Sequence, residues 1–183
     1  MTDVIKDDAG ERVNSKLATS GSQSRCRKTK KLAFEFKLTR VSEAGPSKKI
    51  DSPELAYSFW NDTIRKREWF QENKEHLVVL MLNTRHNIAG HNLVSIGSLN
   101  ECLAHPREIF APVLCGGAFA FILMHNHPSG DPSPSQADRE LTRRIAEGAG
   151  LFQVKFLDHV IVGHPEDGVF REPYFSFREM GLL

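Results

Sequence analysis

Two apolar runs set the terms for what this chain can fold into: His76-Leu-Val-Val-Leu-Met-Leu82 and Ala118-Phe-Ala-Phe-Ile-Leu-Met124. Neither alternates cleanly between apolar and polar, so each reads as a strand buried on both faces. Residues 154–162 supply a further buried strand. A sheet built from such strands needs helices above and below it. Helix signals lie between the runs. Ser52-Pro53-Glu54 is an N-cap, a first-turn proline and a first-turn acid, and it predicts a helix to about residue 70 with Leu55, Phe59 and Ile64 buried. A shorter helix is expected over 106–114, kinked or cut short by Pro112. Residues 135–149 form another, with Leu141, Ile145 and Ala149 inward, and residues 88–96 form a second strand after the first run. Tyr174–Phe177 is a last short strand or an ordered extension. The expected fold class is α/β: a three-layer sandwich with a mixed β-sheet between helices.

Upstream the chain changes character. Residues 1–31 are polar, with five basic residues in Ser24–Lys31, and read as a disordered tail; the folded domain is expected over 32–183, starting with a strand over 32–41. The tail offers at most a weak nucleic-acid contact, because no aromatic residue is interleaved for base stacking. The net charge of +1 gives no general pull toward nucleic acid or membrane. No leader-like or membrane-spanning apolar stretch is seen. Three scattered cysteines without a CxxC pair argue against a thiolate zinc cluster, and a reducing cytoplasm is the expected compartment.

The chemistry concentrates in His125-Asn-His-Pro-Ser-Gly-Asp-Pro132 and the Ser135–Asp138 segment that follows. His125 and His127 leave an apolar strand two residues apart, so both side chains point the same way. Ser135-x-x-Asp138 has the form of a capping arrangement, which needs no metal. Yet Asp138 shares a helical face with Leu141, Thr142 and Ile145, and an inward carboxylate needs a partner. Two imidazoles and one carboxylate around a zinc ion, with water as fourth ligand, would satisfy it. Asp131 is a rival ligand, but a turn favours aspartate there anyway. His159 is either a partner that orients a ligand or a satisfied core histidine. Cys115 reads as a packed small residue.

The spacing H-x-H-P-x(6)-S-x(2)-D resembles the JAMM signature of JAB/MPN metalloproteases. His125–Pro132, His105-Pro-Arg-Glu108 and Leu157-Asp-His-Val-Ile-Val-Gly163 are similar to the RadC-like branch, over about residues 50–183. The resemblance implies a cytidine-deaminase-like sandwich in which His125, His127 and Asp138 would bind one zinc. Ser135 would polarise an oxyanion or the bound water, and a glutamate would act as general base. Glu75 fits that glutamate by the order of elements, with Glu108 second. The implied function is a zinc-dependent peptidase or isopeptidase acting on an unknown peptide or protein. The alternative is a DNA-repair-associated accessory or DNA-binding protein, with the basic tail and Arg65-Lys66-Arg67 as phosphate contacts; the helix-hairpin-helix module usual in that branch has no counterpart in residues 1–50. A silent relative would have lost the triad, and a zinc deaminase would need H-x-E and P-C-x-x-C elements that this chain lacks.

Overall fold

The computed structural model describes residues 48–97, 104–164 and 172–183; the expected tail and the strand at 32–41 fall outside them. Among the described residues five strands form one sheet: β1 (Glu75–Leu82), β2 (Ile88–Gly97), β3 (Ala120–Asn126), β4 (Lys155–Val162) and β5 (Tyr174–Ser176). Their spatial order is β2-β1-β3-β4-β5. The β3–β4 pair is parallel and the other pairs are antiparallel, so the sheet is mixed as expected. Three α-helices cover it: α1 (Pro53–Phe59), α2 (Pro106–Cys115) and α3 (Gln136–Phe152).

Alternation along the strands divides the core in two. Val78, Leu80, Ile122, Met124 and Val160 face Ala56, Phe59, Trp60 and Ile64. Their neighbours Leu77, Val79, Phe121 and Leu123 face Ile109, Phe110 and Val113 of α2 and Ile145 and Ala149 of α3. Helix, sheet, helix is the layering that strands buried on both faces demand.

Four expectations need correction, the first being Cys115, which is exposed rather than packed. The first helix does not run to residue 70. It ends at Phe59, continues as a π-helical turn over Trp60–Ile64, and gives way to turns. Leu55 is exposed (42%), because Ala56, Phe59 and Trp60 make the face that meets the sheet and Leu55 falls beside it. Helix α2 passes through Pro112 and reaches Cys115. Burial of Ile109, Phe110 and Val113 at about 1.5–3 kcal/mol each outweighs the roughly 3 kcal/mol cost of an internal proline.

Candidate metal centre

The histidines sit where β3 ends. His125 lies on the strand face that carries Phe121 and Leu123, so its imidazole turns toward α3. His127 follows one step past the strand, its N–H donating to Val162 O at 3.0 Å. The two Nε2 atoms come to 3.0 Å of each other. Helix α3 starts opposite them. Ser135 is its N-cap: the hydroxyl accepts from Asp138 N at 3.1 Å and donates to Asp138 Oδ2 at 2.6 Å, while Ser135 N donates to the same oxygen at 2.8 Å. Capping and inward placement are therefore compatible. Oδ2 is spent on the cap, and Oδ1 reaches His125 Nε2 at 3.1 Å. His127 Nε2 lies 3.5 Å from Oδ2.

One ligand atom from each of His125, His127 and Asp138 lies within 4.8 Å of the others, so the three could hold a metal ion. The donor set fits. His127 Nδ1 donates to Asp131 O at 2.8 Å, which leaves Nε2 as the nitrogen turned to the carboxylate and the one an ion would take. Two imidazole nitrogens and one carboxylate oxygen suit zinc with an open position better than calcium or magnesium, which prefer oxygen shells. Asp131 itself is turned away: its carboxylate accepts Ser133 N at 2.9 Å, as a turn residue does, and only its carbonyl serves the site.

Charge is arranged to match. Burial works against the Asp138 carboxylate, yet hydrogen bonds from His125, His127 and Ser135 outweigh it and hold the group well below the usual carboxylate range. Burial likewise pushes the His127 imidazole down, but Asp138 and the Asp131 carbonyl more than reverse that and raise it.

Glu75 is brought to this centre from 50 residues away. Antiparallel pairing sets Leu77 opposite His125, so the start of β1 lies beside the end of β3. Glu75 Oε1 is 3.8 Å from His125 Nε2, and its side chain is 14% exposed. Burial raises its carboxyl above the ordinary range, against the pull of His125 and His127. Glu108 goes elsewhere: its carboxylate accepts His105 N at 3.3 Å in a capping box on an exposed helix start. Arg65, expected as a phosphate contact, is engaged with Asn61, Glu72 and His164.

Two residues that sequence reasoning gave no role support the centre. Asn126, between the histidines, points to the opposite face. There its Oδ1 accepts His76 N at 2.9 Å and its Nδ2 donates to Lys74 O at 2.9 Å. It clamps the peptides on either side of Glu75, taking over where β3 leaves the β-ladder. Thr142, one turn into α3, lies 2.6 Å from both Asp138 O and His159 Nδ1. A polar residue inside an H-x-H and a threonine on an otherwise apolar helical face were the available signals.

Comparison with known proteins finds relatives over most of the chain. A "UPF0758 protein" of Trichlorobacter lovleyi is 42% identical over 135 residues, 74% of this chain and 54% of its own length. One from Clostridium acetobutylicum is 40% identical over 148 residues (81% and 59%). One from Methanosarcina mazei is 39% identical over 159 residues (85% and 64%). The chain thus spans between about half and two-thirds of the length of these relatives. The RadC-like JAB domain model matches residues 50–182, from the strip before α1 to the last residues, with the triad near its middle. The chain belongs to the RadC-like JAB domain family.

Proposed function

We propose that this domain is a zinc-dependent hydrolase of amide bonds, of the metallopeptidase or isopeptidase kind. The observation that carries the proposal is the convergence of His125 Nε2, His127 Nε2 and the Asp138 carboxylate on one point, with Glu75 at its edge. His125, His127 and Asp138 would hold the ion. When bound, it supplies a water acidic near neutral pH and a Lewis acid for the scissile carbonyl.

The chain's own residues do the rest. Glu75 takes the proton of the attacking water and passes it to the leaving amine; its raised carboxyl pKa brings it closer to that of a working base. Asn126 fixes the backbone on both sides of Glu75, so the carboxylate does not swing away with the loop before it. Ser135 holds Asp138 through its hydroxyl proton, and donation to a tetrahedral oxyanion would require that hydroxyl to turn from Oδ2.

The test uses the full chain and two variants. Zinc content is measured after dialysis, and new carboxyl termini are counted by mass spectrometry in a peptide mixture containing isopeptide-linked members. The expected result is one zinc in the wild type and in Glu75→Gln, little in His127→Ala, and cleavage by the wild type alone. Glu75→Gln should cost at least ~100-fold in rate. Stoichiometric zinc in His127→Ala, or a zinc-loaded wild type that produces no new termini, sinks the proposal.

A further inference from the structure

We propose that Thr142 and His159 are positioning residues that fix the direction of a hydrogen-bond relay, so that His125 keeps a proton on Nδ1 and turns Nε2, the nitrogen an ion would take, to the triad. This rests on the metal reading of His125, His127 and Asp138 given above. The relay has three links. Thr142 Oγ1 is 2.6 Å from Asp138 O. The same Oγ1 is 2.6 Å from His159 Nδ1. His159 Nε2 is 2.9 Å from His125 Nδ1.

The direction follows from the one group that can only accept. Asp138 O is a carbonyl, and two oxygens at 2.6 Å repel unless a proton lies between them. Thr142 has a single hydroxyl proton, so that proton is committed to Asp138 O. Thr142 Oγ1 is then an acceptor toward His159, and His159 must carry its proton on Nδ1. A neutral His159 with Nδ1–H has a lone pair on Nε2. His125 must therefore donate from Nδ1, and Nε2 is the nitrogen left for an ion. That Nε2 is the atom 3.1 Å from Asp138 Oδ1.

The surroundings hold this order in place. His159 is fully buried, and Phe177 stacks on its ring at 5.0 Å with planes 10° apart. It sits on β4 opposite Leu123 of β3, so its ring is carried by the sheet, while Thr142 is carried by α3. The relay begins at the backbone of one triad residue and ends at the ring of another. It ties the N-terminal turn of α3 to the end of β3 through β4.

Removing Thr142 Oγ1 removes the constraint. In Thr142→Val, His159 Nδ1 faces a methyl group, and the ring gains by moving its proton to Nε2. It then donates to His125 Nδ1, and the His125 proton shifts to Nε2, where an ion would bind. Supporting groups of this kind change metal affinity by about 10- to 100-fold.

The experiment measures zinc affinity of the full chain against a chromophoric chelator for the wild type, Thr142→Val and Thr142→Ser. In parallel, long-range proton–nitrogen NMR on the metal-free wild type at mildly alkaline pH reads which nitrogen of each histidine carries the proton. The expected results are three: His125 and His159 each protonated at Nδ1, with His159 bare at Nε2, in the wild type; roughly 10- to 100-fold weaker zinc in Thr142→Val; and affinity in Thr142→Ser within a few-fold of wild type. Wild-type affinity in a folded Thr142→Val, or a wild-type His125 with no proton on Nδ1, overturns the proposal. If Thr142→Val does not fold, the wild-type nitrogen spectrum and Thr142→Ser still decide. A wild type that takes up no zinc defeats the metal reading and the affinity claim with it, while the spectrum still settles the direction of the relay.

Discussion

Gly163 lies just past β4, in the Val-Ile-Val-Gly stretch, and its hydrogen atom faces the loop that carries His127. A Cβ added there would lie 2.5 Å from Gly130 O and 3.0 and 3.3 Å from two ring carbons of Pro132. Neither neighbour is the end of a flexible side chain, so the backbone of one of the two segments must move. Opening the contact from 2.5 Å even to the 3.0 Å floor requires a shift of half an ångström. The same two segments are laced together by His164 N to Gly130 O and His127 N to Val162 O, both 3.0 Å. Gly163→Ala should therefore carry overpacking strain of about 1–3 kcal/mol and lose a hydrogen bond worth about 0.5–1.5 kcal/mol. The expected total is roughly 2–4 kcal/mol, a fall in Tm on the order of 10 °C for a domain of this size. Displacing Gly130 also moves Asp131 O, the acceptor that orients His127, so zinc affinity should fall by about 10-fold or more. Gly150→Ala in α3 is the control, since an added Cβ there meets nothing within 4 Å. Both changes remove the same freedom from the unfolded chain, and the control should gain about 0.5–1 kcal/mol. Thermal melts followed by circular dichroism in chelator, and zinc titration by calorimetry, read the two effects. If the two variants melt together, the close approach is not what requires glycine. If Gly163→Ala is destabilised yet binds zinc as the wild type does, the loop does not set His127.

Ser135→Ala removes the α3 cap and the 2.6 Å bond to Asp138, and should cost about 2–4 kcal/mol in urea melts of the metal-free protein, with Ser135→Thr recovering most of it; equal stability of all three would refute the geometry. Ser176 donates to the buried Asp158 carboxylate at 2.6 Å, so Ser176→Ala should lose about 1.5–3 kcal/mol, read by chemical denaturation at unchanged m-value. Burial holds the His76 imidazole below the usual histidine range, where Nε2 accepts Gln71 N–H and Nδ1 donates to Asn126. The folded state then binds fewer protons than the unfolded chain, so stability is complete above the unfolded pKa of about 6.5 and falls below it by up to ~1.4 kcal/mol per pH unit. Urea midpoints of the metal-free protein across that window should fall with acid, and less steeply in His76→Gln; identical slopes would remove His76 from the account. Zinc at about 100 times its Kd should raise stability by about 2.7 kcal/mol in the wild type and not in Asp138→Ala, as thermal melts would register.

Much of this protein is legible along the chain, because the relevant rules are local. A period of two places His125 and His127 on one side, and a period of 3.6 places Asp138 on the face of Thr142 and Ile145. Unbroken apolar runs call for cover on both faces, and helices cover both. Leu55 and the helix expected to residue 70 failed where local pattern met packing: the π-helical turn re-aims Trp60 and Ile64 into the core. The choice between Glu75 and Glu108 had no local answer. Each begins an element in a charged setting, and only the antiparallel register of β1 against β3 carries one of them to His125. His159 was undecided for the same reason. Its meaning depends on a threonine 17 residues earlier on a helix and a histidine 34 residues earlier on another strand. Side-chain direction is a property of a residue and its neighbours in sequence. Which directions meet is decided by strand pairing and layer packing, and those belong to the whole chain.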